Sequence, residues 1–178
     1  MKIFLTVLFA ALTAAACAHA QEVVKTPAPI ASLTTGWTYL WADEGNHYRS
    51  NLNGWFVKPQ VTLGKGYSFF VDFTNYYGTN AKGSVNSHGV TAGIQKAAFS
   101  RPKFKLAVFA EAGNVRASSA GTITNQLAIN VGTNFAIPIK SWVALAVTPA
   151  EYIFLYPNDD WRNDFNSKAG LSFSFGKR

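Results

Sequence analysis

The sequence predicts an all-β protein, an eight-stranded antiparallel transmembrane β-barrel, closed and up-and-down. Three observations carry that prediction. Charged residues make up only 14% of the chain and aromatic residues 15%, whereas soluble domains carry about 25% charge. Beyond the N-terminal segment, no run approaches the roughly 18 to 20 consecutive apolar residues of a membrane helix. Eight segments place apolar side chains on every second position, which is the period of a strand.

Residues 1–20, MKIFLTVLFAALTAAACAHA, combine one lysine, an apolar run from Ile3 to Ala16 and the small-residue pattern Ala18-His19-Ala20. This is the form of a secretory signal peptide cut after Ala20. A competing cut would leave Cys17 as a lipidated first residue behind Ala14-Ala15-Ala16, although the large aliphatic residue usual three positions earlier is missing. After the cut at Ala20 no cysteine remains, so neither disulfides nor thiol chemistry contribute. Residues 21–32 contain Pro27 and Pro29 and read as an extended periplasmic leader. The barrel then takes residues 33–178.

The first strand runs from about Leu33 to Trp41, with Trp37, Tyr39 and Trp41 on one face. The second, near Gly54 to Leu63, sets Trp55, Val57, Val61 and Leu63 against Phe56, Lys58, Gln60 and Thr62. The third, near Ser68 to Tyr77, opposes Phe69, Val71 and Phe73 to Phe70, Asp72, Thr74 and Tyr76. The fourth, near His88 to Lys96, opposes Val90, Ala92 and Ile94 to Gly89, Thr91, Gly93 and Gln95. In each, one face is apolar and the other small or polar.

The fifth, near Phe104 to Val115, separates Leu106, Val108, Ala110 and Ala112 from Lys105, Ala107, Phe109, Glu111 and Gly113. The sixth, near Gln126 to Ile137, separates Leu127, Ile129, Val131, Thr133 and Phe135 from Ala128, Asn130, Gly132 and Asn134. The seventh starts near Trp142, with Val143, Leu145 and Val147 against Ala144 and Ala146. The eighth is KAGLSFSF, with Ala169, Leu171, Phe173 and Phe175 opposite Gly170, Ser172 and Ser174. Each segment is near the 9 to 11 tilted residues that cross a bilayer.

Links after strands two, four and six are compact: Gly64-Lys65-Gly66, Ala98 to Lys103, and Pro138 to Ser141. Links after strands one, three, five and seven are longer and polar: ADEGNHYRSN, GTNAKGSVNS, RASSAGTITN and YPNDDWRNDFN. Short periplasmic turns and long outer loops are expected of outer-membrane barrels. An even strand count closes the sheet without an edge.

Strand seven breaks the alternation. Uninterrupted, it would put Glu151 on the lipid side, where a carboxylate is costly. Pro149 cannot donate a ladder hydrogen bond, so the sequence predicts a bulge at Thr148 to Ala150 that returns Glu151 to the interior, the alternative being that strand seven has already left the membrane there. The expected inner face then holds Lys58, Asp72, Glu111 and Glu151, with Lys105 and Lys168 nearer the ends. Buried charges must pair or be hydrogen-bonded, which predicts a salt-bridge network filling the lumen. Phe70 and Phe109 sit less easily on such a face.

Aromatics toward the strand ends suit interfacial girdles. Trp41, Trp55, Tyr76, Tyr77 and Tyr156 are expected at the loop end, and Phe69, Phe104, Phe135, Trp142 and Phe175 at the turn end. Basic residues Lys65, Arg101, Lys103, Lys140, Lys177 and Arg178 gather with the turns. The net charge of +7 does not predict nucleic-acid binding, because the basic residues are scattered and the chain is exported. Neither metal-ligand spacing nor a phosphate-cradling glycine loop is present, so no cofactor is expected.

The chain resembles the small eight-stranded outer-membrane barrels, the group that includes the transmembrane domain of outer-membrane protein A and the opacity-type proteins. Leu33 to Phe175 carry the resemblance, and its most specific element is the last strand. Lys168-Ala169-Gly170-Leu171-Ser172-Phe173-Ser174-Phe175 fits the family's assembly signal, a polar residue, then glycine, then an aromatic or large apolar residue, then an aromatic. Lys168, Gly170, Phe173 and Phe175 occupy its defined positions, and Gly176-Lys177-Arg178 follow it. The resemblance implies location in the outer membrane, with membrane lipid and, during insertion, the barrel-assembly machinery as partners. It also looks like bacterial barrels of unassigned role, on the stretches NLNGWFVKPQVTLGKGYSFFVDF and AEYIFLYP.

The function expected is that of a non-enzymatic barrel with a largely filled lumen, structural or acting through its outer loops on a surface ligand the sequence does not name. A narrow ion or solute channel is the alternative. A lipid A-modifying enzyme would need His and Ser two apart on one strand face, and neither Ser87-His88 nor His47-Tyr48-Arg49-Ser50 has that spacing. A soluble lipocalin-like binder would invert the faces and put Gly89, Gly93, Ala107, Ala128 and Ala144 in water.

Overall fold

The computed structural model describes residues 29–45, 48–80, 83–119, 121–156 and 161–176. The signal peptide, Cys17, most of the leader, His47, Lys177 and Arg178 lie outside the described residues. Eight strands follow in order: β1 (Ala31–Gly45), β2 (Tyr48–Gly64), β3 (Tyr67–Asn80), β4 (Gly83–Arg101), β5 (Phe104–Ser119), β6 (Thr122–Lys140), β7 (Val143–Tyr156) and β8 (Arg162–Phe175). Each pairs antiparallel with the next, and β8 returns to β1, closing the barrel.

At one end the strands turn within two residues: Lys65-Gly66, Pro102-Lys103 and Ser141-Trp142. Lys65 adopts φ 51° between two glycines at φ 114° and 79°, a backbone that glycine tolerates and that makes so short a reversal possible. The opposite end differs from the sequence expectation. The polar stretches read there as long loops are mostly strand: Ser84 pairs with Thr79, Ser118 with Ile123, and Asp43 with Arg49. Backbone ladders need no apolar face to continue, so the apolar alternation stopped before the pairing did.

Strand seven breaks step where its parity fails. Against β8 the register shifts between Thr148 and Glu151, and against β6 it shifts between Gly132 and Phe135. Thr148 and Glu151 both face inward on either side of the irregularity, 3% and 0% exposed. A second shift, between Pro138 and Lys140, carries β6 past its own proline.

The two faces are inverted relative to a water-soluble protein. Val61, Phe69, Phe73, Val90, Ile94, Leu127, Ile129, Leu145 and Leu171 are exposed on the outside, while Lys58, Asp72, Glu111, Glu151 and Lys168 are buried within. Aromatic side chains cluster at both edges of this apolar band. On the loop side Phe165 lies 6.0 Å from Trp41 and 4.9 Å from Tyr152; on the turn side Phe104 lies 5.4 Å from Phe135, and Trp142 6.1 Å from Phe173. Tyr76 departs from its expected girdle position. It is 4% exposed and points inward, because it shares the parity of Asp72 and Phe70 rather than that of Tyr77.

At the closing seam Gly36 and Gly170 are cross-strand partners. A Cβ on either would run into the backbone of the other strand, so the absence of side chains lets β1 and β8 approach.

Candidate functional site

The lumen divides into three levels along the barrel axis. On the turn side, Ser32, Thr34, Gln60, Lys105, Ser172 and Ser174 are among the residues around a cavity of about 180 Å³. On the loop side a larger cavity, about 360 Å³, extends from Glu111, Asn130 and Lys168 up to Asp43, Glu44 and Asp164. Phe56, Lys58, Phe70, Asp72, Phe109 and Glu151 line neither cavity and form the packed level between them.

In that middle level Lys168 holds two carboxylates. Its Nζ donates to Asp72 Oδ2 at 2.7 Å and lies 2.8 Å from Glu151 Oε2. Asn130 Nδ2 then bridges the remaining acids, donating to Glu151 Oε1 at 2.8 Å and Glu111 Oε1 at 2.6 Å. Asn166 Nδ2 donates to Glu151 Oε2 at 3.1 Å, and its own Oδ1 accepts from Thr38 Oγ1 at 2.7 Å. Glu151 thus has three donors, which is what a buried carboxylate requires.

Lys58 behaves differently from its expected role in an ion-paired network. Among the described residues it has no ion pair; its ammonium lies 4.7 Å from the centre of the Phe70 ring and 5.2 Å from that of Phe109. The two rings meet edge to face at 5.9 Å. A cation over an aromatic face is attracted by the ring quadrupole, which gives these inner phenylalanines a partner. Gly132 opposes Phe109 across the ladder, and a Cβ there would strike the Phe109 ring. The glycine makes the space that the ring fills.

Lys168 also sits elsewhere than expected. It is central rather than near an end, because β8 starts at Arg162 and reaches Lys168 halfway. Asn130, Asn166 and Thr38 were not singled out as members of the network, although their inner parity was available from the alternation. Lys105 does lie at the turn-side cavity. Gly170, Phe173 and Phe175 stand on β8, with Gly170 at the seam and Phe173 against Trp142.

Above the loop-side girdle, one residue beyond Phe165, Asp164 is 2% exposed, and its Oδ1 accepts from the Asp43 backbone N–H at 2.7 Å. Burial pushes its carboxyl up to about 7, against that hydrogen bond. Glu44 is held beside it by Ser50 Oγ at 2.6 Å and Asn80 Nδ2 at 3.0 Å. Among the described residues, no group of three or more His, Cys, Asp or Glu is placed to hold a metal ion.

An eight-stranded closed sheet with charges inside and an aromatic-bordered apolar exterior defines a transmembrane barrel. No protein-family model and no curated protein matches the sequence. The fold is shared with solved outer-membrane barrels. Neisserial surface protein A superposes with a TM-score of 0.68 at 16% identity, over 82% of this chain and 97% of that one. The attachment invasion locus protein Ail of Yersinia pestis gives 0.54 at 16% identity, over 82% and 99%. OprG of Pseudomonas aeruginosa gives 0.52 at 7% identity, over 87% and 100%. At these identities the likeness is one of fold.

Proposed function

We propose that the chain is a non-enzymatic outer-membrane barrel whose middle level closes the lumen and whose work is done on the loop side. The observation that carries this reading is the Lys168–Asp72–Glu151 cluster, bridged through Asn130 to Glu111 and packed beside Phe70, Phe109 and Lys58. A barrel of eight strands has an interior just wide enough for side chains to fill. The loop-side ladders rise beyond the girdle and expose Asn86, His88, Arg116 and Asn125 on their outer surface, a polar wall suited to headgroups or a surface ligand. Two proteins of the same fold carry names that denote surface and attachment proteins, in keeping with such a role.

Planar-bilayer recording of the purified protein tests closure. A silent barrel is expected; steady single-channel conductance would replace this reading with that of a narrow channel. Phe173 and Phe175 are assigned to the assembly signal on β8. Phe173→Ser and Phe175→Ser are therefore expected to lower outer-membrane insertion, scored by heat-modifiable migration in membrane fractions, more than Ser174→Ala does. Equal insertion of all three would remove that assignment.

A further inference from the structure

We propose that the loop-side cavity is a binding site for a small linear aliphatic diamine, with one ammonium on Glu111 at its floor and the other on the carboxylates at its rim. The floor asks for donors. Glu111 Oε2 and Asn130 Oδ1 are buried without a donor of their own among the described residues, the Glu111 carboxyl otherwise meeting only that of Glu151 besides Asn130, in side chains only 4% and 5% exposed that border the cavity. The Asn130 amide cannot be turned to relieve this, since its nitrogen already serves Glu111 and Glu151. Both unbonded atoms are acceptors, and an unpaired buried acceptor is costly. An ammonium offers three donors and a charge that suits the carboxylate.

The charge balance points the same way. Asp43, Glu44, Glu111 and Asp164 border the cavity against Arg162 and Lys168. Arg49 pairs with Asp43 at 3.7 Å and Lys168 is already committed to Asp72 and Glu151, which leaves Glu44 and Asp164 at the rim and Glu111 at the floor without an ion pair among the described residues. Between floor and rim the wall is mixed: Leu40, Leu52, Tyr76, Val85, Ile153 and Leu155 form one buried apolar cluster, and Thr74, Ser87, Thr91 and Gln126 also border the cavity. A metal ion would leave the apolar cluster without a partner, and a neutral alcohol would leave the acids without one. An alkyl spacer between two ammonium groups matches both. Lys168 and Asp164 stand four residues apart on the inner face of β8, about 13 Å of tilted strand, so a spacer of several carbons reaches from floor to rim. The volume, about 360 Å³, falls in the range of small-molecule sites.

That the cavity is blind below rests on the closed-lumen reading, and the two fail separately. Conductance with diamine binding intact would remove closure and leave the site, whereas a silent barrel that binds nothing would remove the site alone. The test is calorimetric titration of the detergent-purified, heat-modifiable full chain with cadaverine, pentanol and Mg²⁺. Saturable cadaverine binding is expected, tighter than either control by about tenfold or more. Glu111→Gln should weaken it by about tenfold or more, Glu44→Gln should weaken it less, and Leu52→Trp, which fills the cavity, should abolish it. Absence of saturation up to about 10 mM would overturn the proposal. So would equal affinity for pentanol, which marks a merely apolar hole, equal affinity for Mg²⁺, which marks an inorganic cation site, or undiminished binding by a folded Glu111→Gln barrel. The selectivity of the unaltered protein decides the matter even where a variant fails to fold.

Discussion

The middle of the lumen and its loop-side cavity are built from the same strands and differ in what surrounds their buried charges. In the middle, Glu151 receives three donors and Lys168 spans two carboxylates. Asp72 Oδ1 there and Glu111 Oε2 above it both lack a donor among the described residues, but Asp72 is enclosed by packed side chains whereas Glu111 borders the open cavity. A packed network of buried charges rigidifies, whereas a charge that borders open space can be reached by a further donor. The difference separates a level built for stability from a level built to receive something.

The largest effect should come from breaking the packed level. Lys168→Met strands Asp72 and Glu151 without their cation, and removal of one partner from a buried pair costs about 3–5 kcal/mol. Urea-unfolding midpoints of the refolded barrel in lipid should fall accordingly. Adding Asp72→Asn and Glu151→Gln to Lys168→Met should recover part of the loss, since the two stranded carboxylates are then removed while Lys58 and Glu111 stay buried; no recovery would mean that packing rather than charge dominates this level.

Truncation compares the two levels directly. Phe70→Ala removes a ring that touches Phe109 and Lys58 in packed surroundings and should cost about 4 kcal/mol. Leu52→Ala borders a cavity already present and should lie near the lower end for its type, about 2 kcal/mol. Equal losses in the same unfolding assay would mean that the cavity wall is as tightly packed as the middle.

The smallest effect expected is a pH dependence at the rim. The Asp164 carboxyl is pushed up to about 7 by burial, from an ordinary value of 3.8. The folded state therefore binds this proton more tightly than the unfolded chain, and stability should fall as pH rises from about 4 to about 7. Asp164→Asn should flatten that part of the profile and raise the unfolding midpoint at pH 8 relative to the unaltered protein. An unchanged slope would assign the dependence to another group.

The sequence made the strands and their faces readable because lipid and lumen impose opposite demands on alternate residues. Trp37, Val90, Ile94 and Leu171 had one parity and Asp72, Glu111 and Gly170 the other, and in strand seven the position of Pro149 against Glu151 marked where the parity had to change. What stayed hidden lacked such a contrast. Strand ends above the girdle are polar on both faces, so Ser84, Asn86 and Ser118 gave no period. Pairings between distant strands were equally invisible: nothing local links Lys168 to Asp72, 96 residues away. The ring contacts of Lys58 were hidden for the same reason, because they depend on how the barrel curls rather than on any one strand.

The seam of the barrel has a consequence in time. Thr34 on β1 donates to Ser172 on β8, and the two are 138 residues apart in sequence. Contacts of such span are the slowest to form, since the loop-closure cost is met before they return anything. Until Arg162–Phe175 has docked, both β1 and β7 present open edges with unpaired backbone groups, a state that hydrocarbon does not tolerate. Closure is therefore the last event that the order of strands permits, and the segment that performs it is the one carrying Gly170, Phe173 and Phe175. A chain cut anywhere before Arg162 can form hairpins at the membrane but cannot close a barrel.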